Sequence, residues 1–306
     1  MLVLVRALML VLAGLVSWHG LSRPVVVQVG ETVLVVDGTV TGRPINPQIY
    51  GVASATAAQL AELNAPLHRN GGNAASRYNW QVNATNRASD WFFESVSEAG
   101  TTPGASIDAF VAATRAAGSE PMVTVPLLEW VAKLGPARGR LASFSVSKYG
   151  PQTGTDWQWF PDAGNGLRAT GGVISGNDPR DAHVQVDPAF QQSWVRHLTT
   201  RWGTSAAGGV KYYTLDNEPS LWFDTHRDVA PVGVSMDDLN ARTIAMSAAI
   251  KAADPGARIV ASEEWGWTGY LYSGADQQYA KTHGWWRTLP DRAAHGGMEY
   301  LPWLLS

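Results

Sequence analysis

From about residue 45 onward the chain alternates short apolar runs with amphipathic stretches, and the alternation repeats five times. INPQIYGVA (Ile45–Ala53), APLHRNGGN (Ala65–Asn73), SEPMVTVPLL (Ser119–Leu128), GVKYYTLDNEP (Gly209–Pro219) and RIVASEEWGW (Arg258–Trp267) each read as a strand. Between them, TAAQLAELN, SIDAFVAATRAAG, PAFQQSWVRHLTTRWG and MDDLNARTIAMSAAIKAAD read as helices, the second closed by a Gly stop. Strand–helix alternation of this kind predicts an α/β fold with a parallel sheet and helical crossovers. Both an open doubly wound sheet and a (β/α)8 barrel fit. No G-x-G-x-x-G or G-x-x-x-x-G-K-[ST] follows the first strand, which argues against the nucleotide-binding open sheet.

Two segments fall outside the alternation. Residues 1–23 carry one early charge at Arg6 and an apolar run from Ala7 to Val16. That run is shorter than the ~20 residues a membrane span needs and fits the apolar stretch of a signal peptide, so export is expected. After Pro24, VVVQVGETVLVVDGTVTGRPI breaks Val-rich runs at Gly-Glu and Asp-Gly, the pattern of a β-hairpin over residues 24–44. Within the alternating part, Gly135–Pro188 is long, rich in Gly, Asp and Asn, and poorly periodic. It reads as an excursion beyond a strand end.

Composition removes several function classes. Lys+Arg 23 against Asp+Glu 26 gives a formal net charge of −3, so nucleic acid and anionic membranes are not expected partners. With no Cys there is no disulfide framework, thiolate metal site or cysteine nucleophile. His68, His226 and His283 form no dense ligand spacing, so a catalytic zinc is not expected. The DAGNG and NDPRD loops (Asp162–Asn165, Asn177–Asp181) are oxygen-rich and could hold a structural calcium, although solvated turns have the same composition.

In a parallel α/β barrel the chemistry sits at the carboxyl ends of the strands. Here those ends read Arg69-Asn70-Gly71-Gly72-Asn73, Leu128-Glu129-Trp130, Asp216-Asn217-Glu218-Pro219 and Glu263-Glu264-Trp265-Gly266-Trp267. Carboxylates, carboxamides and indoles together suit a sugar. Indole faces stack on pyranose C–H faces, and Asn and Arg satisfy hydroxyls. Fourteen Trp in the chain add weight to that reading, with Trp91, Trp265 and Trp267 as candidate platforms. Any one Trp is nonetheless more often core. Glu218 is the sharpest candidate for a catalytic acid, with Asn217 beside it able to meet a sugar 2-hydroxyl. An isolated N-E-P could equally cap a helix. Glu263 and Glu264 are the available second carboxylates.

RNGGNAASRYNWQVNATN, SDWFFE, WVAKLG, SFSVSKYGPQ, DAGNG, GNDPRDA, YYTLDNEPSLWFDTHRDVAP and EEWGWTGY resemble, in that order, blocks of glycoside hydrolase family 44. The resemblance runs from about Pro44 to Ser306. It implies a retaining endo-β-1,4-glucanase or xyloglucanase, secreted and bacterial, with a (β/α)8 barrel and a β-sandwich to which the 24–44 hairpin belongs. It further implies Glu218 as general acid/base and Asn217 as its sugar-binding neighbour. Arg69 and Asn73 would lie beside the nucleophile, and Trp91 would line the cleft. The substrate would be a β-glucan, with no cofactor required and a monomeric enzyme. Asn70 stands where the family commonly has Trp. The family's nucleophile follows the seventh strand, whereas residues 45–306 hold about five strands. On that reading the barrel is incomplete, the nucleophile lies beyond Ser306, and these residues alone would be inactive. A shorter barrel pairing Glu218 with Glu263 or Glu264, or a non-catalytic glucan binder, are the alternatives.

Overall fold

The computed structural model describes residues 25–29, 32–36, 39 and 42–306, so the signal-peptide expectation for residues 1–23 lies outside the described residues. The chain divides into two compact units, Met1–Pro47 and Gln48–Ser306. In the first, strands β1 (Val25–Val29) and β2 (Thr32–Val36) pair antiparallel, with Val25 opposite Val36 and Val29 opposite Thr32. This is the expected hairpin.

The second unit is built on a five-stranded sheet: β3 (Gly51–Ala53), β4 (Leu67–Asn70), β5 (Glu120–Val125), β6 (Tyr212–Leu215) and β7 (Arg258–Val260). Neighbours in the sheet are neighbours in this sequence order, and every pairing is parallel. Parallel strands need crossovers, and these carry helices α1 (Ala57–Leu63), α2 (Ala105–Ala116), α3 (Pro188–Trp202) and α4 (Met236–Ala253). Local chemistry sets where each begins. Thr56 and Gln59 form a capping box on α1, Asp187 accepts the Phe190 N–H at 2.9 Å ahead of Pro188 on α3, and Ser235 caps α4. Beyond β7 come α5 (Gly266–Leu271), α6 (Gly274–His283), α7 (Pro290–Ala294) and α8 (Tyr300–Leu304).

The main core joins β5 and β6 to the helices. Val123, Val125, Tyr213 and Leu215 meet Val111 of α2, Trp194 and Leu198 of α3, and Leu239 and Ile250 of α4. Each fully buried aliphatic side chain there contributes roughly 1.5–3 kcal/mol. This packing holds the carboxyl ends of β4, β6 and β7 in register. Among the described residues no helix is long and apolar enough to cross a membrane.

The excursion is more structured than its sequence implied. Trp130–Ala132 pairs with His183–Gln185, and Thr155–Asp156 with Phe160–Gly164. A separate ribbon joins Ala84–Asn86, Glu94–Ser97 and Leu141–Ala142. These strands are two to five residues long, too short to leave a visible period.

Candidate active site

The four residues of β6 are fully buried, and the chain then turns sharply. Asp216 and Glu218 both take left-handed backbone conformations, at φ 63° and 49°. Such a conformation costs a non-glycine residue about 1–2 kcal/mol, so it persists only where other contacts over-determine it. Those contacts are present. Asp216 donates its N–H to the Val125 carbonyl at 2.9 Å. Its carboxylate accepts the Asn217 N–H at 2.8 Å and the Leu127 N–H at 2.5 Å. Glu218 donates its N–H to the Glu263 carbonyl at 2.8 Å. Pro219, with no N–H to donate, then opens a 3-10 turn.

From β4, Arg69 reaches the same place. Its Nη2 donates to Asn217 Oδ1 at 2.6 Å, and its Nη1 is ion-paired with Glu263 Oε1. The two glycines that follow have separate reasons. A Cβ at Gly71 would fall inside the Arg69 guanidinium, so only glycine lets that side chain lie where it does. Gly72 sits at φ +91° and donates its N–H to Asn217 Oδ1 at 3.0 Å. Asn73 then meets Asn217 Nδ2 at 3.4 Å and donates to Asp90 at 2.9 Å.

Three strand ends therefore bring Arg69, Asn73, Asn217, Glu218 and Glu263 together. Burial pushes the Glu218 carboxyl above the ordinary range; Arg69 opposes this, Asp90 adds to it, and Asn217 lowers it. Glu263 is raised by burial too, against Arg69 and with the charges of Glu218 and Asp216. Asp216, fully buried beneath Asn217, is raised to about 6, again by burial first. One guanidinium thus serves a cluster of carboxyls whose environment favours keeping a proton. A half-buried acid whose ionisation is pushed upward by burial is the kind of group that leaving-group protonation requires.

Glu264 behaves differently from its neighbour. Its Oε1 accepts from Ser262 at 2.8 Å and from Tyr300 at 2.6 Å, and its Oε2 accepts the Ser220 N–H at 3.2 Å. A Cβ at Gly269 would come 2.9 Å from the Glu264 Cβ, so α5 packs this close only because that residue is glycine. Burial drives the Glu264 ionisation up to about 7. Its carboxyl oxygens are committed to the scaffold, whereas Glu263 faces Arg69.

The tryptophan platforms divide. Trp91 adjoins Asp90 and is exposed, with its ring 5.4 Å from that of Trp159. Trp265 and Trp267 need a correction: β7 stops at Val260, so neither is on the strand that Arg258–Trp267 was expected to form. Gly266, at φ +55°, breaks the extended run, and Trp265 and Trp267 lie at the start of α5. Both are exposed, and Trp267 packs edge-on to Tyr270 rather than on the Arg69–Asn217 cluster.

In the oxygen-rich loops, Asp162 accepts from Ser145 and from the Ser147 N–H, and Asp181 from Lys148 and Tyr149. Among the described residues no group of three or more His, Asp or Glu is placed to hold a metal ion. His68 is buried between the Ala55 N–H and Thr114, and His226 belongs to a buried ion-pair network with Arg77 and Asp228.

Residues 84–306 match the model of glycoside hydrolase family 44. The chain belongs to that family. Among solved structures, a bifunctional glucanase-xylanase from a metagenome library is 57% identical, with a TM-score of 0.84 over 86% of this chain and 50% of its own. A xyloglucanase of the same family from Paenibacillus polymyxa is 25% identical, with a TM-score of 0.59 over 86% of this chain and 48% of its own. Endoglucanase A of Paenibacillus lautus is 28% identical over 74% of this chain and 31% of its own length. The chain thus spans about half the length of the solved relatives, and less of that curated one.

Within this family 44 chain, sequence reading had singled out Arg69, Asn73, Asn217 and Glu218, and these meet. It did not single out Asp216, Asp90, Tyr300 or Trp159. For Asp216 a signal was present, because an acid directly after a fully apolar strand has to be held by hydrogen bonds. For Tyr300, near the far end of the chain, no local pattern points to Glu264.

Proposed function

We propose that the protein carrying this chain is an exported, retaining endo-β-1,4-glucanase or xyloglucanase that works as a monomer without a cofactor. Glu218 is its general acid/base. The observation that carries the reading is the setting of Glu218: a half-buried carboxyl raised above its usual range, in a strained turn locked by the Glu263 carbonyl. Glu218 would protonate the departing glycosidic oxygen while a second carboxylate attacks the anomeric carbon. It would then return as base to activate the water that releases the sugar. Asn217, oriented by Arg69 and Gly72, would meet the 2-hydroxyl, a contact that tightens in the oxocarbenium-like transition state. The five-stranded parallel sheet would be part of an eight-stranded barrel and the 24–44 hairpin part of an accessory β-sandwich. The glucanase, xylanase and xyloglucanase relatives support the substrate class.

The second carboxylate is proposed to come from outside these 306 residues. Glu264 is committed to Ser262, Tyr300 and Ser220, and Glu263 is ion-paired with Arg69. The alternative is Glu263 itself, favoured by its electrostatic coupling to Glu218. Retention needs ~5–5.5 Å between the two carboxyl groups. A 2-deoxy-2-fluoro cellobioside inactivator, followed by peptide mass mapping of the full-length gene product, decides between them. A label outside Met1–Ser306 supports the first assignment, and a label on Glu263 overturns it. Carboxymethylcellulose and xyloglucan bound but left uncut by the wild type would overturn the glycosidase reading.

A further inference from the structure

Glu218 holds a left-handed backbone conformation, at φ 49° and ψ 56°, and Pro219 after it has no N–H to donate. A turn of this kind keeps its shape only where neighbouring groups grip it. Two of the grips come from the segment after β7, on either side of the strained residue. The Glu263 carbonyl accepts the Glu218 N–H at 2.8 Å, and Glu264 Oε2 accepts the Ser220 N–H at 3.2 Å. The Glu218 carbonyl in turn accepts the Leu221 N–H at 2.9 Å, which closes the 3-10 turn. Of these three contacts, the one from Glu264 depends on the identity of a side chain.

The Glu264 carboxyl is itself held in place. Tyr300 of α8, buried in the main core, donates to Oε1 at 2.6 Å, and Ser262 donates to the same oxygen at 2.8 Å. The two hydroxyls lie 3.3 Å apart. A Cβ at Gly269 would come 3.2 Å from Ser220 Oγ and 3.3 Å from Glu264 Oε2, so α5 lies directly over the contact between them. Among the described residues Glu264 has hydrogen-bond donors for partners and no cation. If packing were its only task, an apolar side chain of similar volume would serve as well without the cost of desolvating a carboxyl. Its hydrogen bonds converge instead on the turn from which the Glu218 side chain springs. Tyr300, Glu264 and the Ser220 N–H thus form a continuous line from the core to the acid.

We propose that Glu264 is a positioning residue for the general acid: its carboxyl, oriented by Tyr300 and Ser262, fixes the 218–221 turn and so the place where Glu218 meets the glycosidic oxygen. This deepens the glycosidase reading above and rests on it. The test compares kcat/KM, which reports the first bond-breaking step, for two substrates of the full-length gene product. Cellotetraose expels a sugar alkoxide and needs the proton from Glu218, whereas 2,4-dinitrophenyl β-cellobioside expels a stable phenolate and does not. The ratio of the first to the second is expected to fall about 30-fold in Glu264→Leu, which fills the space but offers no acceptor. Glu264→Gln, whose amide oxygen can still accept the Ser220 N–H, should recover most of the ratio. Tyr300→Phe keeps the ring and removes one donor to Glu264; it should lower the ratio severalfold, and it serves if the Leu variant does not fold. A carboxyl that only supports the fold would lower both substrates together through loss of folded protein. An unchanged ratio in these variants therefore overturns the positioning role and leaves the glycosidase reading standing. A wild type that cleaves neither substrate sinks the glycosidase reading, and this role with it.

Discussion

Arg69 of β4 and Arg77 in the turn that follows it build clusters of opposite character. Arg77 is fully buried and forks onto both oxygens of Asp228, at 3.2 and 3.0 Å, while also meeting His226 and His183. Ser143 adds a hydrogen bond to Asp228 at 2.6 Å. Burial and the Arg77 charge press both histidines toward neutrality, His183 to about 3, and the same guanidinium holds Asp228 far below its usual range. Arg69 and Glu263 remain about a quarter exposed, and buried Glu263 Oε2 has no hydrogen-bond partner among the described residues. The first cluster ties the 77, 143, 183 and 226–228 segments together. Each cluster leaves buried polar atoms without a partner among the described residues: Arg77 Nε and His226 Nε2 in the first, Arg69 Nε and Glu263 Oε2 in the second. What separates them is exposure, because only the second opens to solvent beside a half-buried acid.

The comparison is broken most directly at Glu218. Glu218→Gln should lower turnover of a substrate with a poor leaving group by about 10³-fold, with an unchanged melting curve. A loss below tenfold would remove the acid assignment. Next comes the buried cluster. Asp228→Ala should destabilise the protein by about 3–5 kcal/mol in urea titration, because it strands a buried guanidinium. A change under 1 kcal/mol would mean that this cluster is no more structural than the first.

Acidity separates the regions in sign. Burial raises Glu264 from the usual 4.5 to about 7, so its contribution is full below about 4.5 and is lost as pH rises through 7. Glu264→Gln should flatten that loss, worth on the order of 3 kcal/mol, in melts recorded between pH 4 and 8. His183 works in the other direction: lowered to about 3, it costs stability as pH falls below 6.5. His183→Gln should leave the alkaline side of the same profile untouched. The smallest effect is expected from Arg69→Lys, which keeps the charge but cannot hold Asn217 and Glu263 at once. A loss of kcat/KM of about 30-fold, roughly 2 kcal/mol, with less than 1 kcal/mol of stability, would fit a positioning role.

The two central strands were the most legible, because parallel strands buried on both faces leave largely apolar runs, as in MVTV and YYTL, whereas the edge strands β3 and β7 are mostly exposed or half-buried. The strand ends were harder to read. The run through Glu263-Glu264-Trp265-Gly266-Trp267 reads as strand, but Gly266 adopts a positive φ and the chain enters α5. The Gly71-Gly72 pair was visible as a loop signal, while its cause, the guanidinium lying over Gly71, was not. Trp159 sits in an excursion without periodicity, and only folding carries it to Trp91.

By itself the sequence determined the α/β alternation and the strand ends that carry polar residues, and it made Glu218 the leading candidate for an acid. Each is a local property, set by periodicity and by Pro or Gly at defined positions. Only the tertiary structure gave Glu263 and Glu264 different surroundings. Adjacent carboxylates are equivalent in composition, and they part only when one meets Arg69 and the other is enclosed by Ser262, Ser220 and Tyr300. The same holds for every raised carboxyl in the molecule, since burial depends on what packs over a group rather than on its neighbours in the chain.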